Sequence, residues 1–141
     1  LVGANSTEFD PATPYPVIDI MEEQKKILKL GGTMRLGAQE TPIKEGTLLM
    51  EAYRTSLVHE RHRHRYEVNY EDFRDLFNEP GEDLSGRMVI SSKATFVEAI
   101  ELPDKDFFLG IQYHPEFGSK VGRPSPLFRL FVEKIRGRKR D

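Results

Sequence analysis

The run Phe107-Phe108-Leu109-Gly110-Ile111-Gln112-Tyr113-His114-Pro115-Glu116-Phe117 sets the frame for the whole chain. Its first half is apolar and aromatic, the composition of a buried strand, and it delivers a histidine and a glutamate two positions apart. Side chains two apart in extended chain point the same way, and Pro115 keeps His114 out of the helical region. The imidazole and the carboxylate are therefore expected to leave the strand end side by side. A carboxylate beside one ring nitrogen fixes the tautomer and steadies the imidazolium, so the other nitrogen can take a proton from a nucleophile. The competing account is a His-Pro turn with a chance carboxylate; the end of a buried strand, where open α/β sheets place ligands, favours the pair.

Two further β-like runs, residues 87–91 and 95–102, precede that strand, separated by the turn compositions Ser91-Ser92-Lys93 and Pro103-Asp104-Lys105-Asp106. Beyond it, after Pro124 and Pro126, a helix is predicted with Leu127, Phe128, Phe131, Val132 and Ile135 on a broad apolar face. Toward the N-terminus, residues 33–43 alternate apolar and polar with period two, predicting a half-buried strand. Residues 17–20 predict a short strand and residues 48–53 a short helix. A charged, helix-tolerant segment at 22–29 ends at Gly31-Gly32. Asn69 with Asp72 resembles the cap of a helix that would bury Phe73, Leu76 and Phe77 before Pro80-Gly81 stops it. The first sixteen residues, with Pro11, Pro14 and Pro16, read as a surface loop.

The 141 residues carry 21 basic and 23 acidic side chains, a formal charge of −2, with 38% hydrophobic and 31% charged residues. These values describe one soluble globular domain and argue against a general nucleic-acid or other polyanion binder. No apolar stretch approaches the ~20 residues needed to cross a bilayer, so no membrane span is expected. With no cysteine there is no disulfide framework, thiolate zinc cluster or redox switch in this polypeptide. A start at Leu1 without secretory features reads as a piece of a longer cytoplasmic chain. The basic end, Arg136-Gly137-Arg138-Lys139-Arg140, is given no role.

A second informative stretch is Glu60-Arg61-His62-Arg63-His64-Arg65-Tyr66-Glu67-Val68-Asn69. In extended form Arg61, Arg63 and Arg65 share one side, and His62, His64, Tyr66 and Val68 the other. Guanidinium groups present paired donors in a rigid fork, suited to carboxylate or phosphate. The alternatives are a metal held by His62 and His64, a nucleic-acid contact, and a structural ion-pair network with Glu60 and Glu67. A third stretch, Ala4-Asn5-Ser6-Thr7-Glu8-Phe9, is a polar loop with a single carboxylate. From the residues alone, the chain is an α/β fragment with an anion-binding arginine face and a possible general base.

Five segments together resemble the CTP synthase family, in the later part of its class I glutamine amidotransferase domain. They are Ala4 to Phe9, Leu30-Gly31-Gly32-Thr33-Met34-Arg35-Leu36-Gly37, Glu60 to Asn69, Phe108 to Phe117 and Arg123-Pro124-Ser125-Pro126-Leu127-Phe128. The His-Pro-Glu element alone would indicate only a class I amidotransferase; the Gly-Gly-Thr-Met-Arg-Leu-Gly and Glu-Arg-His-Arg-His-Arg-Tyr-Glu-Val-Asn segments are more particular.

The resemblance implies glutamine hydrolysis through a cysteine thioester, with the ammonia passed to a synthetase domain that aminates UTP using ATP and magnesium. It implies His114 as the base, Glu116 as the residue that orients it, Glu8 as partner of the α-ammonium of L-glutamine and Arg65 as partner of its α-carboxylate. Arg61 and Arg63 would support the strand, and the metal reading of His62 and His64 recedes; no cofactor is expected in this chain. The family's nucleophile lies in a Gly-x-Cys-x-Gly-x-Gln turn upstream of the Asn-Ser-Thr-Glu-Phe loop. This chain begins after that turn and after the oxyanion loop, so alone it should not hydrolyse glutamine.

The implied fold is a partial class I amidotransferase: a flavodoxin-like α/β open twisted mixed sheet with flanking helices. It would lack the N-terminal β/α units of a family sheet that is mostly parallel, and would leave apolar faces uncovered. The implied parent is a homotetramer activated by GTP. Two other functions stay open: an inactive amidotransferase-like module that binds glutamine, a nucleotide or a partner subunit, and a nucleotide-phosphate site on the arginine face, with Arg35 as a candidate for a second pocket.

Overall fold

A computed structural model describes residues 3–20, 34–82 and 87–137. The segment expected at 22–29, its Gly31-Gly32 end and the basic residues 138–140 lie outside the described residues. Strands β1 (Asn5–Ser6) and β2 (Pro16–Asp19) pair in parallel, and β2 pairs antiparallel with β5 (Glu67–Val68). The proline-rich opening is thus a loop with a strand at each end rather than a loop throughout. Eight-residue strands β3 (Arg35–Pro42) and β4 (Leu57–His64) form an antiparallel ribbon closed by helix α1 (Leu48–Tyr53). The third sheet has the order β6 (Phe77–Asn78), β7 (Met88–Lys93), β8 (Val97–Glu101) and β9 (Leu109–Ile111), with β6 and β7 parallel and the later pairs antiparallel. Helix α2 (Pro126–Gly137) ends the described chain.

The period-two strand predicted at 33–43 is present with its faces exchanged. Leu36 and Met34 are exposed, while Arg35 turns inward. The helix predicted from Asn69 does not form: Asn69 Nδ2 does donate to Asp72 at 3.0 Å, but the chain makes only a 3-10 turn at Arg74–Leu76 and then enters β6 at Phe77. Phe77 is buried with Val68, Met88, Ile90 and Val97, so packing into the sheet outweighed the helical spacing.

Helix α1 has six residues, too few to be stable alone. Thr47 caps its start by accepting from the Met50 N–H at 3.1 Å. The Leu48 and Leu49 N–H groups donate to the two Glu101 carboxylate oxygens at 2.9 and 3.0 Å. Leu49 and Ala52 then pack with Leu127 and Leu130 of α2 against Ile43, Ala99 and Tyr113. The α2 face predicted from its spacing is only partly used, since Phe128, Phe131, Val132 and Ile135 remain exposed. Apolar clefts of about 350 and 390 Å³ are lined by Ile18 and Val68 of the three-stranded sheet and by Ile100 of the four-stranded one.

Candidate active site

His114 lies just beyond β9, on backbone with φ −112° and ψ 84°. Its Nδ1 is 2.7 Å from Glu116 Oε1. The predicted pair therefore forms, by a different backbone route: Pro115 opens a 3-10 turn, Pro115–Gly118, that curls the carboxylate back to the ring. The hydrogen bond from His114 holds the Glu116 carboxyl below the usual carboxylate range, so it stays ionised. With Nδ1 facing Glu116, Nε2 is the nitrogen left for proton transfer. Phe117 stacks on the imidazole, centroids 5.1 Å apart at 26°, and the His114 N–H donates to the Arg61 carbonyl at 2.8 Å.

Glu8 and Arg65 line one cavity of about 480 Å³, with Met34, Arg63, His64 and Tyr66. Glu8 sits in the turn after β1, where its N–H donates to Ser6 Oγ at 3.2 Å and the neighbouring Thr7 hydroxyl donates to Asp19 at 2.6 Å. Arg65 occupies the two-residue link between β4 and β5. Arg61 and Arg63 point outward from β4, as its alternation predicts, and Arg63 also borders the cavity. One carboxylate and a guanidinium on a shared cavity suit a ligand carrying one charge of each sign.

The inward side of β4 is occupied by a hydrogen-bonded cluster that the sequence did not reveal. His62 is fully buried, with Nε2 2.7 Å from Glu98 Oε2 and Nδ1 2.9 Å from the Glu60 carbonyl. His64 Nε2 is 3.0 Å from Glu67 Oε1. Arg35 bridges the two buried carboxylates, Nη1 to Glu67 at 3.2 Å and Nη2 to Glu98 at 2.7 Å. Burial pushes the Glu98 carboxyl up, but hydrogen bonds from His62 and Arg35 outweigh it and leave it below the usual range. Burial lowers the Arg35 guanidinium, while Glu98 and Glu67 more than compensate and raise it.

This cluster bears on three readings of the sequence. Both His62 nitrogens face oxygens, Glu98 Oε2 and the Glu60 carbonyl, so His62 is engaged in the buried network. Arg35 is committed inside and is no candidate for a second, exposed phosphate pocket. Glu67 belongs to an ion-pair network, but with Arg35 and His64, and Glu60 instead accepts from the Tyr53 hydroxyl at 2.6 Å. Glu98 was hidden because residues 95–102 read only as a β-like run, and nothing local marks a carboxylate whose partners, Arg35 and His62, lie far away in sequence.

Residues 5–134 match the family model for glutamine amidotransferase class-I. The chain belongs to the class I glutamine amidotransferase family. It is 57% identical over 142 residues to a CTP synthase of Thermosipho africanus, covering 100% of this chain and 27% of that protein. To a CTP synthase of Thermotoga maritima it is 59% identical over 133 residues, 94% of this chain and 25% of that one. Among solved structures, the Trypanosoma brucei CTPS glutaminase domain with bound acivicin matches with a TM-score of 0.81 and 33% identity, over 99% of this chain and 53% of that one. The similarity thus falls on the C-terminal, glutaminase part of CTP synthase, and the chain spans about a quarter of the length of the curated relatives it matches. The class I fold expected from sequence is the fold observed. No helix among the described residues is long and apolar enough to cross a membrane.

Proposed function

We propose that this chain is the base-bearing and substrate-clamping part of a glutaminase site. The observation that carries it is the 2.7 Å contact between His114 Nδ1 and Glu116 Oε1, just beyond the end of β9. L-glutamine presents an ammonium and a carboxylate at one end and an amide at the other. Glu8 takes the ammonium and Arg65 the carboxylate, which holds the amide at a fixed reach from the clamp. His114 Nε2 accepts the proton of a cysteine thiol supplied by polypeptide outside this chain, and the thiolate attacks the amide carbon. His114 returns the proton to the leaving nitrogen, so ammonia departs and a thioester remains. It then deprotonates the water that releases glutamate. Glu116 stabilises the imidazolium formed at each transfer.

In the complete protein the ammonia would serve ATP-dependent amination of UTP in a synthetase domain with magnesium, and GTP would activate the glutaminase. Measurement of ammonia release from glutamine by the complete polypeptide tests the assignment: His114→Ala should lower turnover by about 10³-fold or more, and normal turnover in that variant would remove it. Lacking a thiol, the chain alone should release no ammonia.

A further inference from the structure

Arg65 sits where the alternation of β4 breaks. Strand β4 ends at His64 and β5 begins at Glu67, so Arg65 and Tyr66 form a two-residue link with no ladder pairing of their own. The residues on either side of the link are tied to each other, His64 Nε2 to Glu67 Oε1 at 3.0 Å. The same Glu67 carboxylate accepts from Arg35 Nη1 at 3.2 and 3.4 Å. The other arm of Arg35 donates to Glu98 at 2.7 Å. Glu98 lies on β8, the strand that pairs with β9, and β9 leads directly to His114.

A continuous path of charge-assisted bonds therefore joins the segment carrying the clamp to the sheet carrying the base. Both carboxylates are fully buried and Arg35 is 16% exposed. Burying two carboxylates is costly, and such pairs are weak sources of net stability. What a guanidinium fork between them does supply is fixed angle and distance. A clamp needs that property, because a displacement of about 1 Å at a substrate contact costs a large factor in binding or rate.

We propose that Glu67 is a positioning residue for the carboxylate clamp: held by Arg35, it staples the Arg65-Tyr66 link and sets Arg65 at a fixed place relative to the sheet that bears His114. The proposal rests on Arg65 being the partner of the substrate α-carboxylate. It is tested in the complete polypeptide with two substrates, L-glutamine and its α-carboxamide, which lacks the carboxylate. Glu67→Gln keeps the size of the side chain and removes its charge. It should raise KM for glutamine by about tenfold, leave kcat within about threefold, and leave KM for the carboxamide unchanged.

Arg65→Ala separates this from the underlying assignment. If Arg65→Ala leaves KM for glutamine unchanged, the clamp itself is wrong and the proposal falls with it. If Arg65→Ala shows the carboxylate-selective loss but Glu67→Gln raises KM for both substrates alike, or for neither, the clamp stands and the positioning role is overturned. Should Glu67→Gln fail to fold, Arg35→Lys is judged by the same two outcomes; it keeps a cation between the carboxylates but cannot hold both in a fork.

Discussion

The backbone N–H of His114 donates to the carbonyl oxygen of Arg61 across 2.8 Å. In the proposed mechanism, the proton acceptor is thus fastened to the strand that runs into the clamp arginine. Because the acceptor is a main-chain atom, the Arg61 side chain is dispensable for it. Arg61→Ala should keep KM and kcat for glutamine within about twofold of wild type, since exposed substitutions away from contacts are usually small in effect; steady-state kinetics of the complete polypeptide check this.

Glu8 and Arg65 should behave differently from Arg61. Removing one charged partner of a bound zwitterion costs about 1.5–3 kcal/mol, or roughly 10-fold to 100-fold in affinity. Glu8→Ala and Arg65→Ala are expected to raise KM for glutamine by that factor with smaller effects on kcat. Isothermal titration with a non-hydrolysable glutamine analogue would show the same loss directly.

In the proposed mechanism Glu116 acts through the imidazole, so its removal should appear in kcat. Glu116→Ala removes the 2.7 Å contact to Nδ1, so neither the tautomer nor the imidazolium is held. A loss of roughly 10²-fold in kcat is expected, the low end for a positioned acid–base group, with KM little changed. Single-turnover release of ammonia measures it.

Two buried acids on β8 should shift stability with pH in opposite senses. The Glu98 carboxyl is held below its unfolded value of about 4.3, so its contribution is present above that pH and is lost as pH falls through the lower folded value. Glu101 is pushed up by burial, opposed only in part by the Leu48 and Leu49 N–H groups. Its folded state binds the proton more tightly, so stability falls as pH rises from about 4.3 through the raised folded value. Thermal melts across this range should show Glu98→Gln flattening the acid-side loss, with a cost of roughly 3 kcal/mol at neutral pH from the partners left unpaired. Glu101→Gln should remove the opposite slope.

Leu49 is fully buried between α1, α2 and the sheet. Leu49→Ala should destabilise the fold by about 2–5 kcal/mol, read from the shift in denaturation midpoint.

Much of this architecture could be read from the residues. The runs at 87–91, 95–102 and around Leu109 do contain strands, and α2 followed from its 3.6-residue spacing, but the turn expected at Ser91-Ser92-Lys93 is absent: these residues continue β7 to Lys93, with Ser92 donating to the Pro42 carbonyl, and the chain turns at 94–96 instead. The outward Arg61 and Arg63 followed from simple alternation. What escaped was decided by long-range contacts. The inward face of β3 is the polar one because Arg35 meets Glu67 and Glu98, carboxylates far along the chain. Phe73, Leu76 and Phe77 had helical spacing, but Phe77 found a place in the sheet instead. His114 and Glu116 were expected together for the wrong local reason, since a 3-10 turn and not an extended segment closes their contact.

Helix α1 takes its N-terminal acceptors from Glu101, a residue 52 and 53 positions further along the chain than the N–H groups it satisfies. A segment this short is not stable on its own, so formation of α1 is coupled to a residue of β8. The expected order is that the β7–β8 hairpin closes first and the helix condenses onto it late. Mutations within α1 are therefore expected to speed unfolding while leaving the rate of refolding nearly untouched.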